Sequence, residues 1–208
     1  MPIHDTPPRF TNPQPNFNRQ RRHVLATALL WPAAFTQAAG RDAEAEAALR
    51  SGGVVLAMRH ALAPGTYDPP EFKLGECGTQ RNLNDEGRAQ ARGIGAWFEA
   101  RSLKPARVRS SPWCRCVDTA TLAFGAAEPW AALGSPRAAG DARNAEHVKM
   151  LRQALVAVSV PGRRFEVWVT HNFVLAELAG ENTSSGEGLV LRANRAGAPE
   201  VLARLNIG

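Results

Sequence analysis

A run of apolar residues, Val54 to Met58, stops abruptly at Arg59-His60-Ala61, and a second run, Phe165 to Thr170, stops at His171-Asn172. Short apolar runs bounded by turn signals read as buried strands. In open α/β sheets, ligands sit just outside the carboxyl ends of the strands. A guanidinium beside an imidazole at such an end points to an oxyanion site with a nucleophile in it. Arginine offers a planar fork of donors that matches phosphate. Neutral imidazole is available near neutral pH, because its unperturbed pKa is ~6.5.

The rest of the chain alternates helical and strand patterns. Asp42 to Arg50 reads as a short helix that Gly52-Gly53 ends before the strand Val54 to Met58. Ala61 to Gln80 is a long loop with Pro64-Gly65, Pro69-Pro70, Gly75 and Gly78, and long loops are disproportionately functional. Asn84 is placed to cap a helix running to about Ala100, with Asp85 and Glu86 in its first turn. Ala91, Ile94, Trp97 and Phe98 form its buried face. A strand over Arg107 to Ser110, broken by Ser111-Pro112, precedes a helix from about Cys114 to Phe124. Glu128 to Gly140 is turn-rich and has no assigned element. Ala145 to Val158 is helical, with Val148, Leu151, Leu155 and Val158 on one face. Val174 to Ala179 is a short helix, and Gly188 to Arg192 and Val201 to Ile207 are closing strands, the latter near an edge. This alternation predicts an α/β fold: a three-layer α/β/α sandwich with a mostly parallel central sheet.

The 208 residues suit one domain with a leader. Residues 1–20 are rich in Pro, Asn and Gln; Arg21-Arg22-His23, an apolar stretch from Val24 to Phe35 and small residues around Ala38 follow. A basic flank, a short apolar run and a small-x-small site have the form of an export signal, either general secretory or twin-arginine. The expected division is a leader over 1–38 and a domain over 39–208, exported to the periplasm, with no stable membrane span after cleavage. The net charge of +6 owes much to Arg9, Arg19, Arg21 and Arg22 in that leader, and no basic block interleaved with aromatics follows. Nucleic acid is therefore not an expected partner. Three cysteines remain, Cys77, Cys114 and Cys116. An oxidising compartment permits a disulfide from Cys77 to either of the others, leaving one thiol free. No metal-ligand spacing is present, and no metal or cofactor is expected.

Parallel strands would bring three strand ends to one edge: Arg59-His60, then Ser110-Ser111-Pro112 with Arg115 one turn on, then Thr170-His171-Asn172. Two arginines and two histidines in one pocket suit a dianionic phosphate. These pieces, with Leu83 to Ala91 and Thr119-Ala120, occur in the order found in the histidine phosphatase superfamily, and the chain resembles its short, phosphoglycerate mutase-like branch. The resemblance implies that His60 attacks phosphorus and carries the phosphoryl group. It implies that Arg59 and Arg115 hold the equatorial oxygens, and that His171 binds phosphate and stabilises charge. Arg81 is a further candidate phosphate contact, and Ser111 a candidate cap for the helix carrying Arg115. Ala61 stands where the family usually has glycine.

The general acid is not evident from the residues. Asp141 and Glu187 are candidates, with Glu128 and Glu146 also in the relevant regions. The expectation is a metal-independent phosphatase that hydrolyses phosphate monoesters of a small molecule or an envelope glycan through a phosphohistidine. A phosphoryl-transferring mutase and a non-catalytic phosphate-binding envelope protein are the alternatives. The oligomeric state is not legible.

Overall fold

A computed structural model describes residues 33–135 and 140–207, and side chains from Asp42 onward. Most of the predicted leader lies outside the described residues, and the expected boundary after Ala38 falls within the first helix.

That helix, α1, spans Ala33–Ser51, longer than the predicted Asp42 to Arg50, and Gly52 at φ +70° ends it. The chain continues through β1 (Val55–Arg59), α2 (Asp85–Ala100), β2 (Arg107–Ser110), α3 (Cys114–Phe124), β3 (Glu128–Pro129) and α4 (Asp141–Val158). It ends with β4 (Glu166–Thr170), α5 (Asn172–Ala179), β5 (Gly188–Ala193) and β6 (Pro199–Leu205). The six strands form one sheet in the order β3-β2-β4-β1-β5-β6. The first four strands in that order run parallel; β5 and β6 are antiparallel additions. Among the described residues, no helix is long and apolar enough to cross a membrane.

Alternation along β1 explains the three layers. Leu56 and Met58 face a core built with Ala45 and Leu49 of α1, Ile94 and Phe98 of α2 and Ala120 of α3. Val55 and Ala57 face the other way, against Leu151 and Leu155 of α4 and Leu175 of α5. A strand covered on both faces needs apolar residues at every position, hence an unbroken run rather than an alternating one. Helix α4 begins at Asp141, four residues before the predicted start, because Asp141 sits in the first turn where a carboxylate suits the helix dipole.

The register sets the site. Arg59 pairs with Thr170 across β1 and β4, and Ser110 pairs with Val169 across β2 and β4. The ladder continues past the strands: His60 N–H donates to the Thr170 carbonyl at 2.9 Å and Ser111 N–H to the Val169 carbonyl at 2.8 Å. Three strand ends are thereby level at one edge of the sheet.

The segment leaving β1 is pinned from α2. Asn84 caps that helix, accepting the Gly87 N–H at 2.9 Å. Gln90 accepts the Leu62 N–H at 2.9 Å and donates to the Ser185 carbonyl. Gly87 lies against the Leu62 backbone so closely that a Cβ there would stand 1.9 Å from the Leu62 carbonyl oxygen. Gly87→Ala would normally favour a helix by roughly 1 kcal/mol. Here the clash is with backbone, and overpacking of this kind costs about 1–3 kcal/mol. The variant is expected to unfold at lower urea concentration than the wild type; equal or greater stability would contradict the close approach.

Candidate active site

His60 is 2 % exposed, at the end of β1. Its Nδ1 lies 2.7 Å from the Ala61 carbonyl. A carbonyl only accepts, so Nδ1 carries the proton and Nε2 is left with a lone pair. The Ala61 N–H is in turn taken by Thr119 Oγ1 at 3.0 Å, and that hydroxyl donates to the Arg115 carbonyl. One threonine thus links the histidine loop to the helix carrying the arginine.

Arg115, 3 % exposed in the first turn of α3, is the hub. Its Nε donates to His60 Nε2 at 3.2 Å. Its two terminal nitrogens engage the Asp68 carboxylate at 2.7 and 3.2 Å. Nη1 also reaches the Arg81 carbonyl at 3.2 Å, and Nη2 lies 3.5 Å from His171 Nδ1. A guanidinium only donates, so His171 presents the Nδ1 lone pair to it. The other nitrogen, Nε2, then carries the proton in the neutral ring and donates to Ser111 Oγ at 2.8 Å. The two histidines therefore hold opposite tautomers, with both lone pairs turned toward one guanidinium.

Arg59, His60, Arg81, Arg115 and His171 all line one cavity of about 190 Å³, with Asp68, Tyr67 and Phe173 among its other walls. The sequence placed these five at one site, and the fold brings them to one cavity. Arg59 donates to the Thr183 carbonyl, and Arg81 to the Ala63 carbonyl. The buried Nε of each finds no hydrogen-bond partner among the described residues. Three guanidinium groups against one carboxylate leave the cavity cationic, and orphaned donors there suit an oxyanion. A larger groove, about 840 Å³, opens between the ends of α2 and α3 and β2–β3; no histidine, cysteine, serine or threonine lines it.

The electrostatics follow. Burial, opposed in part by the Ala61 carbonyl and aided by the charges of Arg115, Arg81 and Arg59, pushes the His60 pKa down to about 3. Burial, with His60 and the same arginines, also holds His171 well below the ordinary histidine range. Both rings are neutral at neutral pH. A depressed folded-state pKa means the unfolded chain binds more protons, so stability is full above pH ~6.5 and declines as pH falls toward the folded value. His60 alone should make the ligand-free protein roughly 3 kcal/mol less stable at pH 4 than at pH 7. Urea unfolding of wild type and His60→Asn across that range checks this: the variant's profile should be the flatter of the two.

The expected acids and the expected cap need correction. Asp141 is exposed in the first turn of α4 and lines a different hollow, with Asn144, Phe173 and Glu177. The Glu187 carboxylate is drawn away from the cavity by Arg204 at 2.7 Å and the Ser184 N–H at 2.8 Å. Neither is placed to act as the acid. Glu128 pairs with Arg107 and Glu146 with Lys149, likewise elsewhere. Ser111 is not the cap of α3: the N-cap residue is Trp113, without a side-chain cap bond, and the serine hydroxyl serves His171.

Asp68 is the residue that sequence reasoning missed. Besides Arg115 it accepts the Arg81 N–H at 3.0 Å and the Trp113 Nε1–H at 3.3 Å. Burial raises its pKa, but Arg115 and these donors outweigh it and hold the carboxyl below its usual range. Its loop is fastened by a disulfide between Cys77 and Cys114, the residue before Arg115, and by Gln80, which accepts the Cys114 N–H at 3.0 Å. Cys116 is the free thiol; burial pushes its pKa up to about 12.

The family profile described as the histidine phosphatase superfamily (branch 1) matches residues 56–133, from β1 past α3, and so takes in Arg59, His60, Arg81 and Arg115. Over that stretch the chain is similar to the histidine phosphatase superfamily. That match supports a hydrolase of the phosphatase class. His171 lies beyond the matched residues, and β4 brings it to the same cavity. No curated protein matches the chain. Among solved structures, the protein histidine phosphatase SixA complexed with tungstate is 19 % identical, with a TM-score of 0.52 over 74 % of this chain and 96 % of that one. The α-ribazole phosphatase from Shigella flexneri is 14 % identical, with a TM-score of 0.52 over 74 % and 98 %. A mycobacterial glucosyl-3-phosphoglycerate phosphatase is 16 % identical, with a TM-score of 0.51 over 72 % and 97 %. At these identities the likeness is one of fold: the chain shares their phosphoglycerate mutase-like sandwich.

Proposed function

We propose that this chain is a histidine phosphatase that hydrolyses phosphate monoesters through phospho-His60, without a metal ion, and acts on an exported sugar phosphate or a phosphorylated envelope glycan. The observation that carries the reaction is the His60 Nε2 lone pair facing a cavity with three arginines. Nε2 attacks phosphorus as the ester P–O bond breaks. Water then attacks the phosphohistidine, the N–P bond breaks, and the pair returns to Nε2. Arg59, Arg81 and Arg115 neutralise the non-bridging oxygens, and phosphoryl transfer is largely a matter of such positioning and neutralisation. His171, fixed through Ser111, turns Nδ1 to the same group and donates to it once protonated.

The substrate reading has separate support. The basic flank and apolar stretch before Ala38 fit export, and the Cys77–Cys114 disulfide suits an oxidising compartment. Two of the structural neighbours are phosphatases named for sugar-containing phosphates.

The test is phosphate release from p-nitrophenyl phosphate in EDTA, with rapid quenching to trap a phosphoenzyme that is stable in base and labile in acid. A panel of sugar phosphates and phosphopeptides then ranks substrates by kcat/KM. Tungstate binding without phosphoenzyme would reduce the protein to a phosphate binder, and isomerised product without free phosphate would make it a mutase. A preference for phosphopeptides would remove the sugar assignment.

A further inference from the structure

The reaction above leaves an alkoxide to be protonated, and the acids expected from sequence lie outside the cavity. Among the described residues, Asp68 is the one carboxylate that lines it. A single guanidinium touches both it and the nucleophile. Arg115 faces His60 with Nε and Asp68 with both terminal nitrogens. A phosphoryl group held by Arg115 and in line with His60 Nε2 therefore points its leaving oxygen away from His60, toward the wall that carries Asp68. That wall is loop, Gly65 to Asp68, at the mouth where the rest of a substrate must lie.

We propose that Asp68 is the proton donor to the leaving oxygen, and that the substrate's own phosphoryl group places it in that role by taking Arg115 from it. The inference rests on the phosphatase reading above. In the ligand-free protein the carboxylate is the counter-ion of Arg115, supported by the Arg81 and Trp113 N–H groups. A phosphoryl dianion competes for the terminal nitrogens of that guanidinium. As it wins them, Asp68 loses its main partner and gains a like charge beside it, and both changes favour the protonated carboxyl. The charged and titratable groups that line the cavity with it are then Arg59, Arg81, Arg115, Tyr67, the two neutral histidines and the dianion. As the ester P–O bond breaks and the His60 N–P bond forms, the Asp68 proton passes to the leaving oxygen. The carboxylate so formed takes a proton from the water that attacks phospho-His60, and the pair of steps balances. The Cys77–Cys114 bridge keeps the loop close enough for Asp68 to trade partners without leaving the site.

The experiment compares wild type with Asp68→Asn, and with Asp68→Glu, in single-turnover phosphoenzyme formation from 2,4-dinitrophenyl, p-nitrophenyl and phenyl phosphates and glycerol 1-phosphate. Removal of a general acid should cost about 10²–10⁴-fold on the alkyl ester. On the dinitrophenyl ester, whose leaving group needs no proton, the loss should be small. Asp68→Glu should recover part of the alkyl-ester rate. Tungstate affinity of Asp68→Asn should equal or exceed that of wild type, because a competing anion has gone. Equal losses across all four esters, or weakened tungstate binding, would overturn the proposal and make Asp68 a positioning residue for Arg115; unchanged rates would remove it from the reaction. If wild type traps no phosphoenzyme on any ester, the phosphatase reading itself has failed, which these comparisons distinguish.

Discussion

His60→Ala is expected to lower kcat for p-nitrophenyl phosphate by about 10⁴-fold or more, the scale of loss when a covalent nucleophile is deleted. The prediction is stronger than a general loss of activity. The His60 ring is joined to the oxyanion machinery through Arg115 Nε, its own loop and an edge-on contact with the His171 ring at 5.6 Å. Arg59, Arg81, Arg115 and His171 keep their other partners when the ring is removed. Tungstate should still bind, with a dissociation constant within about tenfold of wild type, a change of no more than ~1.4 kcal/mol. Steady-state assays and isothermal titration on one preparation decide the matter. Full activity in the variant would disprove a phospho-His60 intermediate. Loss of both activity and tungstate binding would mean that the ring holds the site together rather than reacting.

Arg115→Lys should reduce kcat/KM by about 10²–10³-fold, even though the charge is kept. Removing one preorganised donor to developing charge costs on that order, and lysine is a point charge rather than a planar fork. The native side chain meets His60, Asp68, the Arg81 carbonyl and His171 with three nitrogens in fixed relation. An ammonium group cannot face the nucleophile and the carboxylate at once. The loss should divide between KM and kcat, since binding and orientation both depend on the fork. Arg115→Ala should lose more, leaving Asp68 without its main counter-ion in a partly buried place. Rates of Arg115→Lys near wild type would place the oxyanion elsewhere in the cavity.

Much of this site was legible because its residues stand at strand ends. Arg59, His60 and His171 each follow an apolar run, and parallel neighbours level those ends without any detail of packing. Arg115 was legible from its place one turn past Ser110-Ser111-Pro112, and Arg81 as a loop residue bordering the pocket. Asp68 was hidden for the converse reason. It sits in a loop without periodicity, before Pro69-Pro70, and its defining partner is 47 residues away. Asp141 looked suitable from its order in the chain, but order along a helix does not say which way the first turn points. Glu187 failed through Arg204, a residue of β6 brought beside it by an antiparallel pairing whose register no local pattern announces. The choice between Cys114 and Cys116 was open in the sequence and closed by geometry.

That last choice bears on how the molecule matures. Successive residues of an α-helix are turned by about 100°, so two cysteines two positions apart project on nearly opposite sides of α3. Cys114 meets the exposed loop cysteine, while Cys116 is fully buried beneath β4. A thiol held protonated and out of solvent exchanges poorly with a disulfide. Docking of α3 on the sheet therefore proofreads the oxidation: a chain that folds before it is oxidised has one partner to offer Cys77, and a chain oxidised before it folds has two. The third sulfur, buried beside His171 in the native state, becomes accessible when this helix leaves the sheet, and so the chain carries its own covalent reporter of unfolding.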